Sequence, residues 1–221
     1  MTPRQGSVPP GNTVVQCDFD GTITTEDVSF MLLDAFGDPG WRRWLRRYEA
    51  GEITVGQFNS LVFATVRADR QTMLDYLQGR VVVRSGFPEF VETCRAKGFR
   101  LEIVSNGLDF YIRHILAGAG ANDVDVHAAE TRFLPDGLQV RYRRPNGRTA
   151  DDAVKLGYVH YFQAEGNRVI YVGNGTSDLE AARQADVIFA TGTLLRLCRD
   201  NNVACTPFCD FSQVAAGLRA L

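Results

Sequence analysis

The sequence predicts an α/β fold, a doubly wound parallel sheet with a small helical cap inserted after the first strand. Three observations carry this expectation. Short apolar runs at 13–19, 99–104, 168–172 and 186–190 each end in a polar or glycine-bearing turn, as buried parallel strands do. Helical patterns at 88–97, 108–118, 149–164 and 177–184 fall between those runs, and such alternation implies helices layered on a parallel sheet. Between the first strand and the helix at 88, about sixty residues carry helical patterns only.

Taken in order, residues 1–12 are rich in proline, glycine and polar side chains and lack the apolar core of a signal peptide. They predict a frayed terminus and a cytoplasmic protein. Residues 13–19 form the first strand, with acidic residues at its carboxyl end, where open α/β sheets bind ligands. In the following insert, Asp38-Pro39 reads as an N-cap with proline at the first helical position. Thr54 and Gln57 have capping-box spacing, and Asp69 is placed to cap a further helix. Residues 25–84 are therefore read as the cap, and 13–24 with 85–221 as the core. Residues 122–148 predict a strand and then a hairpin turning at Pro135-Asp136-Gly137. The tail predicts a helix, a short edge segment around Cys205, and a last helix from about Phe211.

Composition narrows the function classes. The chain has 221 residues, 45% of them hydrophobic and 23% charged, with a net charge of −2. That balance speaks against a nucleic-acid binder, which shows a basic excess. No apolar stretch approaches the roughly 18 residues of a membrane span. Cysteines 17, 94, 198, 205 and 209 form no CxxC pair and read as reduced, small apolar side chains. Histidines 114, 127 and 160 show no metal-ligand spacing.

The chemistry concentrates at four strand ends. Asp18-Phe19-Asp20-Gly21-Thr22 closes the first strand, and residues i and i+2 of an extended chain point to one side. Two carboxylates that close need a shared proton or a cation, and a hard ion such as Mg²⁺ suits them. A carboxylate beside Mg²⁺ can attack phosphorus, and its neighbour can act as acid and base. Ser105-Asn106-Gly107 follows the second strand and is either an ordinary turn or a cradle for phosphate oxygens. Lys155 lies early in a helical segment among Val154, Leu156 and Tyr158; by itself it reads as a surface lysine. Gly173-Asn174-Gly175-Thr176-Ser177-Asp178 opens a helix, and its spacing is not the GxGxxG of a dinucleotide loop.

In this order and at these strand ends, the four pieces resemble the haloacid-dehalogenase superfamily of aspartate-nucleophile phosphatases. The resemblance runs from Val14 to the C-terminus and implies a Rossmann-like core. It implies Asp18 as nucleophile and Asp20 as acid and base, with the Asp20 carbonyl on Mg²⁺. It also implies phosphate binding by Ser105, Asn106 and Gly107, charge neutralisation by Lys155, and a metal site of Asp18, Asp20, Asn174 and Asp178. The helix-only insert is similar to the cap of the phosphoserine-phosphatase-like branch. Asn174 departs from the family's Gly-Asp pair, which predicts weaker metal binding with activity retained.

Within that branch, two details bear on substrate. The position that carries a carboxylate-binding arginine in phosphoserine phosphatases aligns with Ser60, which counts against phosphoserine. Asp27 matches a substrate-contacting carboxylate of those enzymes, or else serves as a favourable charge at a helix N-terminus. Ser105-Asn106-Gly107-Leu108-Asp109-Phe110-Tyr111 is similar to a stretch of the methionine-salvage phosphatases acting on 2-hydroxy-3-keto-5-methylthiopentenyl-1-phosphate. The tail around Leu194-Leu195, Cys198-Arg199 and Pro207-Phe208 is similar as well, although Arg141–Arg148 stands where those enzymes often carry cysteines. Trp41, Trp44, Leu45 and Tyr48 share one cap-helix face; Arg42, Arg43, Arg46 and Arg47 share another, solvated or substrate-steering. The expected partner is a small phosphorylated metabolite, with phosphoserine, another metabolite, or phosphometabolite binding without efficient turnover as alternatives. Monomer and homodimer both stay open.

Overall fold

The structure, a computed structural model, describes residues 12–221, so most of the terminus expected to fray lies outside the described residues. Its sheet is built from β1 (Thr13–Cys17), β2 (Arg100–Leu108), β3 (Asp125–Leu134) and β4 (Gly137–Arg143). It continues with β5 (Thr149–Ala150), β6 (Arg168–Gly173), β7 (Val187–Ala190) and β8 (Thr206–Pro207). The spatial order is β5-β4-β3-β2-β1-β6-β7-β8. All five residues of β1 are buried, as a strand covered on both faces requires. It pairs in parallel with β2 on one side and β6 on the other. Strand order therefore reverses across β1 and β6, and a crevice opens beyond their carboxyl ends. The hairpin β3–β4 and the short β5 are antiparallel, so the sheet is mixed at that edge.

Between β1 and β2 lie α1 (Val28–Phe36), α2 (Arg42–Glu49), α3 (Val55–Phe63) and α4 (Arg70–Leu77), then α5 (Phe87–Ala96). The remaining helices are α6 (Asp109–Gly118), α7 (Val154–Ala164), α8 (Leu179–Gln184), α9 (Gly192–Asp200) and α10 (Phe211–Arg219). Local capping explains several starts. Asp27 accepts from the Phe30 amide, Asp69 from the Thr72 amide, and Thr54 with Gln57 closes a capping box. The segment that holds α1–α4 leaves and returns at one place. Thr24 bridges Val83, and the Arg84 amide donates to the Ile23 carbonyl at 2.7 Å.

Four local expectations are corrected. Asp38-Pro39 opens a turn, the Asp38 carboxylate accepting from the Gly40 amide, and α2 starts later at Arg42. β2 does not stop at Val104; it continues to Leu108 with a register shift against β3, so Ser105–Gly107 lie in an irregular strand and not in a turn. The helix expected from 149 begins at Val154, because Thr149 and Ala150 pair with Arg143 and Tyr142 across a tight turn. A single 3₁₀ turn, Thr176–Asp178, precedes α8. All five cysteines are free. No helix among the described residues is long and apolar enough to cross a membrane.

Gly86 joins the returning segment to α5. Its φ is +80°, and a Cβ there would lie 2.3 Å from the Ser212 nitrogen at the start of α10. Backbone cannot retreat as a flexible side chain can, so Gly86→Ala combines left-handed strain with overpacking. We expect it to lower unfolding free energy by roughly 2–4 kcal/mol in urea titration. Wild-type stability in that variant would contradict this packing.

Candidate active site

Asp18 follows β1 directly, and its amide extends the pairing by donating to the Val172 carbonyl at 2.9 Å. The chain then folds tightly: the Thr22, Ile23 and Thr24 amides all converge on the Phe19 carbonyl, at 3.1, 2.8 and 3.2 Å. Phe19 is fully buried beneath this loop, which turns the carboxylates on either side of it toward the crevice. The Thr22 hydroxyl lies 3.3 Å from Asp18 Oδ2 and 3.0 Å from Asn174 Oδ1, joining the β1 and β6 loops. Arg84 braces the loop from behind, donating to the Thr22 and Gly21 carbonyls at 2.8 Å each.

Lys155 is not a surface residue; it is 4% exposed in the first turn of α7. Its Nζ lies 2.8 Å from Asp18 Oδ1 and 2.6 Å from Asp178 Oδ1. Gln16, two residues before Asp18 on β1, donates to the Lys155 carbonyl at 2.9 Å and so anchors α7 to the strand. Asp178 is fully buried behind the lysine. Its Oδ1 accepts from Lys155 and Tyr171, and its Oδ2 from the Asn174 and Gly175 amides. Four donors fill the roughly four lone-pair sites of a carboxylate, so the expectation of Asp178 as a metal ligand is not met in this geometry. Asn174 lies nearer the cleft, its Oδ1 beside Thr22 and Asp18.

Asp20 faces the helices. Its Oδ1 accepts from the Val28 amide at 2.9 Å, and its Oδ2 from the Tyr111 hydroxyl at 2.6 Å. Asp27 caps α1 and also lines the cleft. The Ser105 hydroxyl oxygen accepts from the Gly107 amide at 3.0 Å, which engages that amide and leaves the Ser105 proton to donate. Gly107 instead leaves room for its neighbours: a Cβ there would lie 2.0 Å from the Tyr111 hydroxyl. The Asn106 carbonyl is held by Asn59 of α3, at 2.9 Å, and by Tyr142 of β4.

These groups share a cavity of about 160 Å³. Asp18, Asp20, Ser105, Asn106, Lys155 and Asn174 form its floor, and Phe30, Leu45, Tyr48, Val55 and Phe58 bring apolar surface from α1–α3. Lys155 is the one cationic side chain among the described residues lining it. A larger groove of about 480 Å³ lies between α3 and the β3–β4 hairpin, and Ser60 faces that groove instead. Arg42, Arg43 and Arg47 pair with Asp34, Asp38 and Glu52 outside the cavity, which makes theirs a solvated face.

Two buried carboxylates, Asp18 and Asp178, pair with one lysine while the half-buried Asp20 and Asp27 stand close by, and the protonation equilibria respond. Burial, with Asp178 adding repulsion against the pull of Lys155, raises Asp18 to about 7. Burial and the nearby Asp27 raise Asp20 to about 8, and burial raises Asp27 to about 6. Burial alone would lower Lys155, but Asp178 and Asp18 hold it firmly protonated. The excess of acid calls for protons or a cation. Among the described residues no group of three or more His, Cys, Asp or Glu side chains is arranged to hold a metal. The oxygens on offer are instead the Asp18 carboxylate, the Asn174 amide and the Asp20 main-chain carbonyl, which no donor among the described residues occupies. That hard-oxygen set fits Mg²⁺, which takes one or two carboxylates together with substrate oxygens and water.

Sequence reasoning missed Tyr111, Asn59, Tyr142 and Arg84. Each meets its partner from 36 or more residues away in sequence, and Tyr111, although it ends the 105–111 stretch, carries no local sign of its bond to Asp20.

Comparison with known proteins places this geometry in a family. Residues 15–183 match the haloacid dehalogenase-like hydrolases, and the chain belongs to that family. A curated relative from an Exiguobacterium species is 28% identical over 218 residues, covering 95% of this chain and 99% of its own. One from Bacillus thuringiensis is 26% identical over 211 residues, covering 94% and 96%. Both are named 2-hydroxy-3-keto-5-methylthiopentenyl-1-phosphate phosphatase. The fold is similar to phosphoserine phosphatase from T. onnurineus, with TM-score 0.69, 20% identity, and coverage of 98% and 100%. A phospho-aspartyl intermediate analogue of a phosphoserine phosphatase matches with TM-score 0.66 and 15% identity, covering 92% and 97%. The Rossmann-like core with helical insertions is therefore a fold shared with phosphoserine phosphatases.

Asp20 gives a pH test of the site's electrostatics. The folded protein keeps the Asp20 proton up to about pH 8, whereas the unfolded chain releases it near 3.8. The folded state thus binds more protons between those values, and stability falls as pH rises through them. Neutral Asp20→Asn escapes that loss. In metal-free protein the variant should gain about 3–6 °C in Tm at pH 8, with the gain vanishing toward pH 4. A variant less stable than wild type at pH 8 would contradict the assignment.

Proposed function

We propose that the protein is a Mg²⁺-dependent phosphomonoester hydrolase working through an aspartyl-phosphate on Asp18. The observation that carries this reading is the buried Asp18–Lys155 pair at the switch point of the sheet, with Asp20 two residues on in the same cavity. An Asp18 oxygen attacks phosphorus in line as the bond to the substrate's alcohol oxygen breaks, and Asp20 protonates that oxygen. Water then attacks phosphorus, giving its proton to Asp20. The Asp18–phosphorus bond breaks, phosphate leaves, and both carboxyls return to their starting states. Ser105 and the Asn106 amide are read as phosphate donors, and Lys155 as the charge that offsets nucleophile and phosphoryl group. Mg²⁺ held by Asp18, Asn174 and the Asp20 carbonyl would supply further positive charge to the phosphoryl oxygens. Asp178 acts behind them, holding Lys155 and the Asn174 loop. Residues 25–84 are read as the cap, and Asp27 as a cleft-edge carboxylate.

For the substrate we favour 2-hydroxy-3-keto-5-methylthiopentenyl-1-phosphate. Two observations support it: the names of the curated relatives, and a cavity wall of Phe30, Leu45, Tyr48, Val55 and Phe58. That wall suits the uncharged leaving group with its apolar methylthio tail. It offers no second cation for a carboxylate, so phosphoserine is disfavoured.

The direct test measures phosphate release from that enol phosphate, phosphoserine, sugar phosphates and a chromogenic ester, with and without Mg²⁺. Asp18→Asn should abolish release, by more than about 10³-fold, while circular dichroism shows an intact fold. Retained activity would remove Asp18 as nucleophile, and no release from any ester would favour a phosphometabolite-binding role. Asn174→Asp should tighten Mg²⁺ binding by about tenfold in calorimetry, since added ligand charge raises affinity for hard cations. Unchanged affinity would take Asn174 out of the metal site.

A further inference from the structure

We propose that Tyr111 is a positioning residue for the acid/base step: with Ser29, its hydroxyl holds the Asp20 carboxyl in the orientation that delivers a proton to the departing oxygen. This rests on the reading of Asp20 as the acid and base. Tyr111 is fully buried in α6 and donates to Asp20 Oδ2 at 2.6 Å. Its oxygen lies 2.8 Å from Ser29 Oγ, and the Val28 amide donates to Asp20 Oδ1 at 2.9 Å. Val28 and Ser29 both belong to the first turn of α1, so the carboxyl is gripped from two helices.

The grip has a direction. Because Tyr111 donates to Asp20, Ser29 must donate to Tyr111, and the chain of hydroxyls runs one way toward the carboxyl. Each Asp20 oxygen then accepts one hydrogen bond from the protein, which leaves the remaining lone pairs to carry the acidic proton toward the cavity. As Asp18 bonds to phosphorus and the substrate's P–O bond breaks, that proton moves to the alcohol oxygen. Asp20 is left as a carboxylate, and the Tyr111 donation stabilises the new charge. The attacking water later returns a proton to Asp20. Tyr111 keeps its own proton throughout, since burial and the adjacent Asp20 push its pKa far up.

A second observation argues that the site is shaped around this contact. A Cβ on Gly107 would lie 2.0 Å from the Tyr111 hydroxyl and 2.3 Å from Asp20 Oδ2. The space that glycine leaves in the Ser105–Gly107 stretch is the space the pair occupies. Packing needs only the ring, which touches Phe19 and Phe110 with centroids 6.1 and 5.6 Å apart. The hydroxyl is therefore available for this second role.

The test is the dependence of kcat/KM on the leaving group, which reports the aspartyl-phosphate-forming half. An aliphatic phosphomonoester needs its departing oxygen protonated, whereas p-nitrophenyl phosphate expels a stable phenolate. Tyr111→Phe keeps the ring and should lose roughly tenfold or more on the aliphatic ester but less than about threefold on p-nitrophenyl phosphate, a fraction of what a general acid contributes. Ser29→Ala should show the same selectivity more weakly. In an Asp20→Asn background, Tyr111→Phe should cost nothing further, because the two act as one unit. Equal losses on both esters, or losses that add to those of Asp20→Asn, would overturn the role of Tyr111. If Asp20→Asn itself shows no selectivity for the aliphatic ester, the acid assignment fails instead.

Discussion

A lysine ammonium with 4% of its surface exposed stays charged only if carboxylates replace its lost water. Lys155 has two, Asp18 in front and Asp178 behind, and this triad links two strand ends to the start of a helix. Asp18 continues β1, Asp178 closes the loop after β6, and Lys155 opens α7, which Gln16 fastens to β1. Removing Lys155 strands two buried carboxylates, a change that typically costs about 3–5 kcal/mol. The same triad orients an Asp18 oxygen and fixes the one ammonium of the cleft beside it, so one interaction serves stability and the proposed chemistry together.

Around the triad the carboxyls are spread by environment into different states. Asp178 has every lone pair engaged and serves as a fixed counter-charge. Asp20 is raised to about 8 by burial and by repulsion from Asp27, against the opposing pull of one amide and one phenol. The proposed nucleophile, Asp18, and the proposed acid, Asp20, thus differ in environment although they stand two residues apart. The helical segment contributes more than a roof. Its α1 supplies the amide and hydroxyl nearest Asp20, and its α3 supplies Asn59 on the Asn106 carbonyl. Cleft chemistry and the seating of that segment are coupled through these bonds.

Much of this was legible in the chain. Apolar runs with polar ends located the parallel strands, and the capping residues Asp69, Thr54 and Gln57 located helix starts, because these signals act over a few residues. Expectations failed where a distant partner prevailed. Asp38-Pro39 has the composition of a helix start, yet its carboxylate closes a turn two residues on. Residues 149–150 carry a helical pattern in sequence, yet their backbone pairs with β4. Lys155, unremarkable as a letter in a helix, becomes the centre of the site through residues more than 20 and 130 positions away.

The sequence by itself determined the alternation of strands and helices, the mixed hairpin, and the strand-end order of Asp18, Ser105, Lys155 and Asn174. Each follows from local periodicity, turn chemistry or a short motif. Only the tertiary structure decided which carboxylate oxygens remain open, that Asp178 is enclosed while Asn174 faces the cleft, and that Tyr111 meets Asp20. Those outcomes depend on burial and on donors brought together beyond the paired ends of β1 and β6. Desolvation and hydrogen-bond saturation belong to the assembled interior, and no stretch of chain contains them alone.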